Sequence, residues 1–96
     1  MGNDDLPPLE DEVVSWARAR ELLQDLLALP DRPAILLKGG AELRASGGAP
    51  SLEEAFARLE RGETHGVQLR YRFAGSEVCD TLLATAGGVR IVRIRR

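Results

Sequence analysis

The sequence predicts an α+β fold in which two amphipathic helices pack on one face of a C-terminal three-stranded antiparallel meander, leaving room for an extra short hairpin in the middle. Three observations carry that expectation. Apolar residues recur at helical spacing near the start of the chain and again after Pro50. Three strand-like runs follow. Short glycine-bearing turns separate those runs, which is the pattern of a meander.

The 96 residues can bury one modest core but not two. Residues 9–96 are therefore expected to form a single α+β domain, preceded by a flexible arm over residues 1–8, where Gly2, Asn3, two aspartates and Pro7-Pro8 suit a frayed segment. From Leu9 to Leu29 the pattern turns helical, with Trp16, Ala19, Leu22, Leu23, Leu26 and Leu27 on one stripe. Glu10, Asp11 and Glu12 would then occupy the first turn, where the helix dipole favours carboxylates, and Pro30 would end the helix.

Residues 31–50 read two ways. Ala34 to Lys38 fits either a short helix capped by Asp31 or a buried strand, and Gly39-Gly40 before Ala41 to Ala45 tips the reading toward a hairpin. Ser46 to Pro50 reads as a loop. Ser51 then opens a clear second helix. Its hydroxyl can accept the Glu54 amide while the Glu54 carboxylate reaches back, and the helix runs to Arg61 before Gly62, burying Leu52, Ala55, Phe56 and Leu59.

The meander comprises Val67 to Phe73, Val78 to Ala84 and Val89 to Ile94. A two-residue turn at Gly75-Ser76 and a three-residue turn at Ala86 to Gly88 would place Val67, Leu69, Tyr71, Phe73, Val78, Leu82, Val92 and Ile94 against the helices. The opposite face would then hold Arg70, Arg72, Arg93 and Arg95 together with Cys79, Thr81, Leu83 and Ile91. A one-residue slip of the last strand would scatter that cluster. Asp80 falls on the core side, where an ionised carboxylate is costly unless paired. Tyr71 and an arginine of the last strand are the expected partners. A general base is the alternative, with no matching acid or nucleophile in the sequence.

Composition narrows the function. One cysteine and one histidine build neither an internal disulfide nor an ordinary zinc site, and Lys38-Gly39-Gly40 lacks the spacing of a phosphate-binding loop, so no metal and no cofactor is expected. His65 reads as a surface residue of a connection. Cys79 reads as a small packer within a strand rather than a thiolate activated by Arg70 or Arg72. The chain opens with neither a basic-then-apolar leader nor a long apolar run, so a cytoplasmic protein without membrane contact is expected.

Net charge is −2, but residues 1–33 carry −5 and residues 64–96 carry +4. Such asymmetry means an internal electrostatic match, head-to-tail assembly, or a basic surface for an acidic partner. The resulting expectation is a small non-enzymatic interaction or accessory protein. It would bind an acidic protein surface or a second copy of itself through Arg70, Arg72, Leu83, Ile91, Arg93 and Arg95, or through the last strand as an exposed edge. The alternative is a weak nucleic-acid binder using the C-terminal arginines. Nucleic acid is disfavoured by Glu53, Glu54 and Glu60 on the second helix and by the lack of stacking aromatics on the basic face.

Overall fold

A computed structural model describes residues 9–38 and 50–96. It shows two helices and five strands in the order β1 (Leu9–Val14), α1 (Trp16–Leu27), β2 (Ala34–Lys38), α2 (Leu52–Glu60), β3 (Gly66–Phe73), β4 (Ser76–Thr85) and β5 (Gly88–Arg95). The strands form one antiparallel sheet in the order β1-β5-β4-β3-β2. The expected fold of two helices on a three-stranded C-terminal meander is thereby corrected to a five-stranded sheet, because β1 and β2, from the first part of the chain, add to β5 and β3 on either side.

The expected long first helix is thus corrected. Its first third is strand β1, and the helix begins only after Ser15, whose hydroxyl accepts the Arg18 amide at 3.1 Å. Val13 and Val14 favour extended backbone. Leucine, valine and carboxylates fit the helical stripe and an alternating strand about equally well over six residues, so periodicity could not decide between them. Glu10, Asp11 and Glu12 therefore lie along a strand rather than at a helix dipole.

Of the two readings of residues 34–38, the strand is correct, but its partner is β3. The second strand expected over Ala41 to Ala45, like the loop over Ser46 to Ala49 and the arm over 1–8, lies outside the described residues. The chain reaches β3 through α2, whose cap follows the sequence closely: Ser51 Oγ accepts the Glu54 amide at 3.0 Å. At the other end, the Gly62 amide donates to Leu59 and the Glu63 amide to the Arg58 carbonyl, closing the last turn. Next, the buried hydroxyl of Thr64 lies 3.0 Å from the Lys38 carbonyl, which also accepts the His65 amide at 2.9 Å. This knot ties the end of β2 to the start of β3. His65 itself is exposed.

Both turns of the meander differ from expectation by one residue. The first is Ala74-Gly75, both in the left-handed region, so Phe73 faces Ser76 and Tyr71 faces Val78. That shifts partners but keeps faces. The second turn is Ala86-Gly87, which pairs Thr85 with Gly88, Leu82 with Ile91 and Asp80 with Arg93. A shift of one residue exchanges the faces of a strand. Ile91 and Arg93 consequently point to the helices while Val92 and Ile94 point away. Gly88 sits at φ +140° with its Cα against the Val14 carbonyl, where any Cβ would overlap that oxygen. The strand must start there with glycine.

Both helices contact the same face of the sheet. Ala19 of α1, Leu52, Ala55, Phe56 and Leu59 of α2, and Val67, Leu69, Leu82, Val89 and Ile91 of the sheet make the buried core. Trp16 meets Phe56 edge-on at 5.8 Å, and Arg20 pairs with Glu60, so the helices hold each other as well as the sheet. The last strand is not an exposed edge: it lies between β1 and β4, and the edges are β1 and β2.

Candidate functional site

On the helix-covered face, the cross-strand row Ile35, Leu69, Asp80, Arg93 runs from β2 to β5. Asp80 is 2% exposed. Arg93 meets it in a two-pronged contact, Nε donating to Oδ1 at 2.7 Å and Nη2 to Oδ2 at 2.9 Å. The Tyr71 hydroxyl donates to Oδ2 at 2.7 Å and accepts from Arg93 Nη2 at 3.2 Å. The partners expected for Asp80 are therefore the ones present, though Tyr71 stands diagonally across from it and Arg93 directly opposite. A planar guanidinium on a carboxylate is the strong form of such a contact. Burial, and next the bond to Asp80, push the Tyr71 phenol well above its ordinary value; the Asp80 bond also raises the Arg93 guanidinium. Tyr71 is held protonated and Arg93 charged, so neither group is set to exchange a proton near neutrality.

Beside this triad lies a cavity of about 200 Å³ between α1 and the sheet, lined by Leu22, Leu26, Phe56, Leu69 and Val78, among other apolar residues, and reached by Asp25, Arg93 and Arg95. The sequence reading missed it. Its wall combines α1 with side chains of β5 that had been assigned to the other face, so no pattern along the chain announced it.

The opposite face carries different chemistry. Its cross-strand rows are Ala34, Arg70, Cys79, Ile94 and then Leu36, Gln68, Thr81, Val92, Asp11, followed by Lys38, Gly66, Leu83, Arg90, Val13. Leu36 and Val13 are exposed at 55% and 56%, while Cys79, Leu83, Val92 and Ile94 are half-buried by their neighbours. Arg90 is clamped by Asp11 at 2.6 and 3.0 Å, which lowers the Asp11 carboxyl below its usual range. Arg70 and Arg72 are exposed, and no carboxylate among the described residues pairs with either; Arg72 makes one long bond, 3.4 Å, to the Gly75 carbonyl.

The six residues expected to form one partner-binding face are accordingly divided. Arg70, Arg72 and Leu83 lie on the outer face as expected. Ile91, Arg93 and Arg95 lie on the inner one, where Ile91 is core, Arg93 holds Asp80 and Arg95 lines the cavity. Val92 and Ile94 take their places outside. Among the described residues no cluster of three metal-ligating side chains occurs, and no helix is long and apolar enough to cross a membrane. No protein-family model matches the chain, and comparison with curated proteins and with solved structures finds no match either.

Proposed function

We propose that this chain is a small non-enzymatic interaction protein that binds an acidic protein surface through the outer face of its sheet. One observation carries the reading: among the described residues Arg70 and Arg72 form no ion pair, and they stand beside an apolar field of Leu36, Leu83, Val92 and Ile94 that neither helix covers. Apolar patches edged by charge are where proteins meet partners, and desolvating Leu83 or Ile94 there supplies the affinity while the arginines select the partner's sign. Charge favours an acidic partner over a second copy. The outer face bears Lys38, Arg70, Arg72 and Arg90 against Asp11 and Glu77, so two copies face to face would repel. Two acids of the N-terminal third, Asp11 and Glu10, are turned toward Arg90 and Arg95 of β5 within the same chain. No aromatic side chain projects from this face to stack a base, which argues against nucleic acid.

Native mass spectrometry of the protein purified gently from its host tests this at low and moderate salt. A stoichiometric protein partner is expected, retained by Glu53→Arg on α2 and lost by Arg70→Glu with Arg72→Glu while circular dichroism stays unchanged. A bare monomer, or a partner indifferent to the outer-face reversal, ends the proposal; bound nucleic acid transfers it to the arginine-binder alternative.

A further inference from the structure

We infer that the cavity between α1 and the sheet is a binding site for a small apolar carboxylic acid, with Arg95 as the anchor of its anionic end. The cavity walls are aliphatic and aromatic, and its volume of about 200 Å³ exceeds the roughly 150 Å³ in which an apolar protein cavity holds a benzene ring. A single ring bearing a short acid arm therefore fits. Apolar lining with a few converging polar groups is the ordinary make-up of a small-molecule site.

The polar groups at the cavity decide which end the ligand presents. Asp80 takes its bonds from the Tyr71 hydroxyl and from Nε and Nη2 of Arg93, so its carboxylate and those donors are already engaged. Arg95 differs. Among the described residues its closest carboxylate oxygen, on Glu10, is 3.7 Å from Nη2, and its Nε makes no hydrogen bond. With its side chain 42% exposed and its Nη2 held only loosely by Glu10, this guanidinium keeps donor capacity for a carboxylate in the cavity beside it, the partner arginine favours. Asp25 also lines the cavity, but it is exposed on α1, where water screens it. Glu10 is the internal competitor: it half-occupies the guanidinium from the edge strand and must yield to a ligand.

Phenylacetate, with neutral phenylacetamide as its isostere, is a suitable probe pair, read by calorimetry and by amide shifts of Leu69 and Tyr71. Saturable one-to-one binding of phenylacetate is expected, weakened about tenfold or more by Arg95→Gln, as for loss of a hydrogen bond to a charged group. Glu10→Gln should tighten it, and Leu26→Trp, which fills the cavity, should abolish it. Arg70→Glu, on the other face, should leave it unchanged, so failure here is distinct from failure of the partner-binding proposal. Equal affinity for phenylacetamide, or saturable binding of neither probe, overturns the inference even if Arg95→Gln does not fold.

Discussion

Arg93 and Arg70 flank strand β4 from either side and face opposite ways. Arg93 points inward onto a carboxylate that is 2% exposed, to which its Nε and Nη2 both donate. Arg70 points outward from the register position beside Cys79, free of any described carboxylate. The inner arginine is matched by a buried carboxylate; the outer one is left available. The difference teaches that a count of arginines says little about a binding surface until each one's carboxylate is known.

Asp80→Ala breaks the comparison most sharply. It strands the half-buried Arg93 charge and should cost about 3–5 kcal/mol in urea unfolding; a loss below about 1 kcal/mol would show that the triad contributes little. Gly88→Ala ranks next, because its Cβ overlaps the Val14 carbonyl and its φ of +140° suits few other residues. A loss of about 2 kcal/mol or more is expected, together with faster hydrogen exchange of the β1 amides. Tyr71→Phe removes one bond to Asp80 and should cost about 1–2 kcal/mol. It also changes the alkaline limb. With the folded phenol raised above its ordinary 10.0, the unfolded chain ionises first, so the Tyr71 contribution is intact below pH 10.0 and declines as pH rises above it. The variant should show a shallower decline there. Arg70→Ala, on the outer face, should alter stability by no more than about 0.5 kcal/mol. A larger loss would mean that the two faces are less different than the hydrogen bonds indicate.

Single elements, rather than the architecture, could be read in advance where a local rule was strong. The Ser51 cap and the stripe Leu52, Ala55, Phe56, Leu59 specify α2 almost unaided, and all four stripe residues are buried. The β-rich runs locate β3, β4 and β5, and the need of Asp80 for Tyr71 and an arginine follows from the cost of burying a charge. The failures lie where the deciding contact is distant in sequence. Strand β1 is defined by pairing with β5, some eighty residues later, and short stretches such as Leu9–Val14 carry no internal signal of that partner. The inward turn of Ile91 and Arg93 hung on one residue of turn length at Ala86-Gly87. The requirement for glycine at 88 is itself set by the Val14 carbonyl, another contact distant in sequence.

The charge imbalance along the chain has a resolution in β1. Asp11 meets Arg90, and Glu10 approaches Arg95, so the acidic start and the basic end are complementary parts of one ladder. Pairing the first strand with the last also imposes an order on folding. The β3-β4 and β4-β5 hairpins close over short loops and can form early, whereas β1 must wait for the latest-made strand before it has anything to bond. The run Glu10, Asp11, Glu12 also makes β1 the kind of charged edge that discourages strand pairing between molecules.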